Sequence, residues 1–312
     1  MSNQTLVNAA HREGQPEPSP KRALHLTDTQ VAIILILPAL ALFVAIILYP
    51  LINSMYIGLL DKSLVRPGEE FVGLKNIDWV LRRRFVEILS TTMVFTVGAT
   101  ILPFLIGFVV ALVLNAPLPG RGILRGLFLL PWLVPAVVVS FLWMWIFNAN
   151  YGVLNGMLRS AGLISENINF IGDQSTAMWT IIIAKTWNTF PWIAVMLLAG
   201  LQTIPRELYE AAAIDGADRV QSFFNVTVPQ LRGIITTVLL LSFIWNFQHF
   251  ETIYVMTSGG PAGSTTTFAV AVYQQAFQGY NLGRAGAIGI LWMALLSVIV
   301  GIYLRFGMGE EV

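Results

Sequence analysis

The 312-residue chain contains no cysteine, which excludes disulfides, thiolate metal ligands and a cysteine nucleophile. Its three histidines fall at no metal-ligand spacing, so no metal site is expected. Charge is scarce: Asp, Glu, Lys and Arg make up 11% of the residues, and the formal net charge is +1. Nucleic acids and acidic polymers require a clustered cationic excess, so neither is expected as a partner. No G-x-x-x-x-G-K-[ST] run occurs, and Gly259-Gly-Pro-Ala-Gly263 lacks the Lys-Ser/Thr pair that reaches phosphates. That glycine run reads as a flexible turn, and no cofactor is expected in this chain. Ser242, His249 and Glu251 are hydrolase residue types without a nucleophile turn, so no catalytic residue is expected either. Residues 1–29 are polar, hold Pro16, Pro18 and Pro20, and lack the apolar core of a secretory signal. They read as a disordered tail.

Apolar residues are abundant. They form 56% of the chain, and a mean hydropathy of +0.71 is too high for a water-soluble globule. An all-α membrane protein is expected. About 20 apolar residues at 1.5 Å each cross a hydrocarbon core of about 30 Å, and runs at 31–50, 90–114, 126–147, 177–201, 233–256 and 285–304 meet that length. Six spans put both termini on one side of the lipid. Lys and Arg divide almost evenly between the two sets of connecting segments, with Arg82-Arg83-Arg84 against the trend, so charge does not set the orientation.

The segment 204–232 is polar between two apolar runs. Pro205 suits the first turn of a helix, and Glu207 and Glu210 suit its positive end. Ala211, Ala212 and Ala213 keep one surface thin, and Gly216 permits a left-handed turn. Beyond the turn, Val220, Phe223 and Phe224 give one apolar face before Pro229 is expected to stop the helix.

At these residues the chain resembles the permease subunits of binding-protein-dependent ABC importers. Glu210, Ala211, Ala212, Asp215, Gly216, Ala217, Phe223, Val226, Pro229 and Leu231 fall in register with that family's EAA–three residues–G–LP loop. Phe71-Val-Gly-Leu-Lys-Asn76, Leu130-Pro-Trp132 with Pro135, Trp143 and Trp145, then Gly152, Asn155 and Leu158, and Tyr254-Val-Met-Thr-Ser-Gly-Gly-Pro261 with Thr265 and Phe277 resemble elements of its carbohydrate-importing branch. The resemblance covers about residues 30–306. It implies six transmembrane helices of the type I importer fold, with 204–232 as a cytoplasmic coupling helix seated in an ATPase. Both termini, including a short tail at 307–312, are then cytoplasmic, and the membrane is a bacterial plasma (inner) membrane. It implies a sister permease in a heterodimer, two ATPase subunits that bind ATP and Mg, and an external solute-binding protein. The implied solute is a sugar, oligosaccharide or polyol phosphate. The contrasting expectation, an ion-gradient-driven secondary transporter or channel, would show internal repeats, and no convincing halves are found.

Polar residues inside the spans are costly and seldom face lipid. The fourth span holds Lys185, Trp187, Asn188 and Thr189, and the fifth holds Asn246, Gln248, His249, Phe250, Glu251 and Thr252. By helical spacing Asn246, His249 and Phe250 share one face, and Gln248, Glu251 and Thr252 another. Two readings stand. Lys185, Trp187, Asn188, Thr189, Asn246, His249, Phe250 and Glu251 line a sugar path with rings and amides, or they bond helices together, with Lys185 and Glu251 as an ion pair.

Overall fold

The computed structural model describes residues 27–117 and 119–307. Its contacts divide the chain into two units, Met1–Asn53 and Ser54–Val312. Most of the first unit's described length belongs to helix α1, Asp28–Gly58. The helix starts at a reciprocal capping box: the Gln30 N–H donates to Thr27 Oγ1 at 3.4 Å and the Thr27 N–H to Gln30 Oε1 at 3.0 Å. Asp28 and Thr29, expected in the tail, are therefore helical. The rest of that expected tail, residues 1–26, and residues 308–312 of the expected C-terminal tail lie outside the described residues.

In the second unit, strands β1 (Leu60–Lys62) and β2 (Glu69–Phe71) pair antiparallel, with Leu60 opposite Phe71. Helix α2, Lys75–Arg83, follows. Asn76, the last residue of the Phe71–Asn76 element, donates its amide to the carbonyls of Gly58 (3.1 Å) and Leu60 (2.8 Å), which pins the hairpin to the chain before it. Two arginines of the 82–84 cluster meet carboxylates, and Arg83 lies over the Trp79 ring. Arg82 Nε lies 2.7 Å from Asp78 Oδ1, a bond that raises the arginine's already high pKa, and Arg84 Nε lies 3.8 Å from Glu87.

Helix α3 (Phe85–Asn115) then crosses the unit. A bent pair follows, α4 (Arg121–Leu133) and α5 (Ala136–Ile146), at 92° to each other. The expected single span 126–147 is thus broken, and Pro135 explains it. Pro135 has no N–H to continue the ladder and its ring would meet the carbonyl four residues back. Val134, as the residue before it, takes extended angles (φ −78°, ψ 127°).

A short helix, α6 (Val153–Ser160), leads to α7 (Ala177–Leu201). Between them, buried Asn155 exchanges bonds with the backbone of Ile168 (2.9 and 3.0 Å) and donates to the Asn148 carbonyl (3.3 Å). The exposed Asp173 carboxylate accepts from the Ser175 hydroxyl and N–H, which holds its pKa below the usual range. Any stability from that turn is present above the unfolded-chain pKa and lost as pH falls through the lowered one.

Helix α3 packs most extensively on α7. After α7 come α8 (Arg206–Ile214) and α9 (Arg219–Gln230), then α10 (Arg232–Phe247), bent 67° from α9. Next are α11 (Glu251–Thr257), α12 (Phe268–Tyr273) and α13 (Leu282–Gly307). The expected fifth span 233–256 is also not one helix, because the ladder stops at Phe247 and resumes at Glu251. The 16 residues of α10 reach about 24 Å at 1.5 Å each, short of a hydrocarbon core. Four helices among the described residues are long and apolar enough to cross a membrane, or six if each bent pair is one span.

The buried core gathers along α3 and α7. Phe95, Ala99, Ile181 and Ile182 meet Ile253 and Met256 toward one end, and Ala111, Ile193, Leu197 and Leu201 meet Leu231 and Val238 toward the other. The Gly259–Gly263 turn, expected to be flexible, is held by threonines: Thr265 donates to the Gly260 carbonyl (2.8 Å), Thr266 to the Gly259 carbonyl (2.9 Å), and Thr257 and Thr265 hydroxyls lie 2.7 Å apart.

Candidate functional site

Two clusters hold the residues singled out from the sequence. The first is the elbow between α8 and α9. Pro205 caps α8 from outside rather than occupying its first turn, and its carbonyl accepts the Leu208 N–H (3.3 Å). At the far end the helix closes with two backward bonds, Ala217 N–H to the Ala212 carbonyl (2.9 Å) and Gly216 N–H to the Ala213 carbonyl (3.1 Å). That pair of bonds requires a left-handed residue one past the cap, and Gly216 supplies it at φ +84°. Asp218 starts α9 at once through a capping box with Gln221 (2.8 and 2.9 Å). The elbow therefore has both helix ends satisfied and little freedom left.

Its two sides differ. Phe223 faces inward, edge-on to Phe108 of α3 at 5.6 Å, and Tyr209 reaches Thr227 at 3.0 Å between hydroxyls. Pointing away from the bundle are Ile214, 86% exposed, Val220, 63%, and Phe224, 62%. Glu210, Ala211, Asp215 and Gly216 are exposed beside them, and Ala212 and Ala217 are part-buried. The expectation that Val220, Phe223 and Phe224 share one face is corrected: Phe223 anchors the elbow to the bundle while its neighbours point away. Pro229 does not stop the helix either. A widened turn over Phe223–Thr227 gives its ring room, the helix runs on to Gln230, and the bend falls at Leu231, buried against α7 beside Gly200.

The second cluster lies in the middle of the bundle. The Asn188 amide donates to the Pro131 carbonyl (2.7 Å) and the Val134 carbonyl (3.2 Å). Both carbonyls lie where α4 breaks from α5, and the Pro131 carbonyl also accepts the Val134 N–H at 3.4 Å. Buried Asn246 donates to the Ala99 carbonyl (2.8 Å) and Thr100 Oγ1 (3.2 Å), tying α10 to α3. For these two asparagines the structure supplies the helix-bonding role. His249 stacks on Phe95 at 5.8 Å and lies 2.9 Å from the Thr252 hydroxyl. Lys185 is within electrostatic range of His249 and Glu251, yet no ion pair within 4.0 Å joins Lys185 to Glu251 among the described residues. The ion pair allowed by the second reading does not form. Trp187 meets Trp143 edge-on at 6.3 Å, and Phe250 stacks on Tyr254 at 4.9 Å, with Tyr273 4.5 Å from Tyr254. Thr189 is part-buried and Glu251 exposed. The shared face expected for Asn246, His249 and Phe250 does not form, since the break at 248–250 separates them.

The sequence reading missed the partners Phe95, Ala99 and Thr100, and also Tyr273. Pro131 and Pro135, four residues apart, were the legible sign of the break that Asn188 answers. Replacing Asn188 by leucine should cost about 1–3 kcal/mol, from two lost bonds to part-buried carbonyls of which the Val134 one is left without a donor, and thermal unfolding of the purified protein in detergent measures it.

Comparison with known proteins places this bundle of apolar helices in a family. Residues 103–309 match the family described as binding-protein-dependent transport system inner membrane component. The chain belongs to that family. This family member is 36% identical to the trehalose/maltose transport system permease protein MalF of Thermococcus litoralis, over 91% of its own length and 96% of that protein's. It is 33% identical to the sulfoquinovosyl glycerol transport system permease protein SmoG of Agrobacterium fabrum, over 98% of each. Its fold matches a chain in the crystal structure of a bacterial ABC transporter involved in the import of the acidic polysaccharide alginate, with a TM-score of 0.78 at 21% identity over 90% of this chain and 96% of that one. The transport-system component is thus a multi-pass membrane protein.

Proposed function

We propose that this subunit forms half of the translocation path of an ATP-driven sugar importer. The reading rests on the elbow, whose Ile214, Val220 and Phe224 present apolar surface to water on a turn closed at both helix ends. A rigid knob with an oily tip is built to seat in another protein. In this reading the seat is a cytoplasmic ATPase, one of two, which binds ATP and Mg, in keeping with the lack of a G-x-x-x-x-G-K-[ST] run in this chain. Phe223 and Tyr209 pass the movement of the seat into the spans through Phe108 and Thr227.

A sister permease supplies the other half of the path, as a heterodimer, and an external binding protein delivers the solute. Both termini then lie in the cytoplasm of a cell whose inner membrane holds the complex. The names of the trehalose/maltose and sulfoquinovosyl glycerol relatives support a carbohydrate solute. Lys185, Trp187, Thr189, His249, Phe250 and Glu251 are the path candidates that remain once Asn188 and Asn246 are assigned to helix bonding.

The absence of cysteine from the whole chain makes the test clean. A single cysteine at Ile214 should form a cross-link to the ATPase subunit in membranes, whereas one at Gln278, at the opposite end of α7's length of about 37 Å, should not. Failure of the Ile214 cysteine to reach any ATPase would refute the seat.

A further inference from the structure

Among the described residues, the buried side-chain polar atoms that lack a partner include one on a charged group, Arg125 Nε. Arg125 is part-buried in the second turn of α4, and no described residue bonds or pairs with it. A guanidinium carries five donors and does not shed its charge, so leaving it unanswered beside apolar walls is costly. The walls are those of an open-sided cleft of about 260 Å³ between α4 and α7, formed chiefly by Phe128, Leu129, Ala194 and Leu198. Arg125 and Gln202 stand at the end of the cleft nearest the elbow. Arg121, exposed one turn before Arg125, adds a second cation on the same face, and Arg121–Leu133 contains no acidic residue.

From this combination of a cationic mouth and a greasy slot we infer that the cleft holds one anionic phospholipid. Its phosphate sits on Arg125 with the Gln202 amide beside it, and an acyl chain runs along Phe128, Leu129, Ala194 and Leu198. Basic pockets between spans recruit acidic headgroups in this way, and the slot flanks Pro191 of α7, so the lipid fills the wedge beside the bent α4–α5 pair. The elbow's side being cytoplasmic, as in the proposed function, decides only which leaflet donates the lipid.

The assembled complex, reconstituted in nanodiscs of mixed phosphatidylcholine and phosphatidylglycerol, tests this by native mass spectrometry after detergent washing. One phosphatidylglycerol should stay per copy of this chain while phosphatidylcholine is removed. Arg125→Gln should abolish the retention, and so should Ala199→Trp, which fills the cleft and keeps the arginine. Phosphatidylglycerol should also raise the melting temperature of the wild type and leave that of either variant unchanged. If Arg125→Gln does not assemble, Ala199→Trp decides. Equal retention in wild type and Ala199→Trp, equal retention of phosphatidylcholine, or a sister permease side chain found on Arg125 would each overturn the assignment. None of these readouts depends on transport or on contact with an ATPase, so they fail separately from the coupling role.

Discussion

Replacing Gly216 by valine is expected to abolish uptake while the protein still inserts and assembles. A Cβ at this position would meet nothing within 4 Å, so the penalty lies in the backbone alone and not in packing. At φ +84° an ordinary L-residue pays about 1–2 kcal/mol and a β-branched one more. About 2 kcal/mol is roughly a thirtyfold loss of the closed turn. Opening it releases the Ala212 and Ala213 carbonyls and swings Ile214 away from Val220 and Phe224, which dismantles the exposed tip. Gly216→Asn, whose side chain tolerates the left-handed region, should retain most activity, and Gly216→Ala should fall between the two. Solute uptake in vesicles, normalised to the amount of inserted protein, ranks the three. Wild-type uptake by the valine variant would remove the reason for assigning mechanical work to this turn.

The second large effect is expected at Gly107, where leucine should prevent the protein from accumulating in folded form. A Cβ there lies 2.9 Å from the Phe190 carbonyl oxygen and Ile193 Cγ2, and 3.1 Å from the Ala194 nitrogen. Two of these three atoms are backbone, so no rotamer change makes room. Helix α3 would have to lift off α7 along the most extensive helix–helix contact of this unit. Helices in lipid are held by close approach rather than by escape from water, so the separation is not offset elsewhere. Overpacking by a few methylenes costs about 1–3 kcal/mol even in yielding cores, and this site does not yield. Gly126→Leu is the control, since a Cβ there meets nothing within 4 Å. Size-exclusion profiles of fluorescently tagged variants report the outcome, and a wild-type profile for Gly107→Leu would contradict the packing argument.

The elbow was largely legible in the sequence because its instructions are local. A glycine past a helix cap, an Asp218 and Gln221 three apart, and a family register of small residues each act within one or two turns. The direction of Phe223 was not legible. Its neighbours Val220 and Phe224 are equally apolar, and only the presence of Phe108 on a distant helix selects the ring that turns inward. The polar residues between the spans show the same limit. Helical spacing grouped Asn246 with His249 and Phe250, but the ladder ends at Phe247, and the Asn246 amide is claimed by the Ala99 carbonyl, 147 residues away in the chain.

The sequence by itself determined that the chain lives in lipid, how many apolar runs it has, where the polar elbow falls and which family it joins. These follow from composition, run length and short-range motifs, all of which act along the chain. Only the tertiary structure decided that the third run bends by 92°, that Asn188 donates to the Pro131 and Val134 carbonyls at that bend, and that Arg125 faces a slot with no partner among the described residues. Each of those depends on which groups meet across helices, and a backbone acceptor or an unanswered charge has no identity until its neighbours are in place.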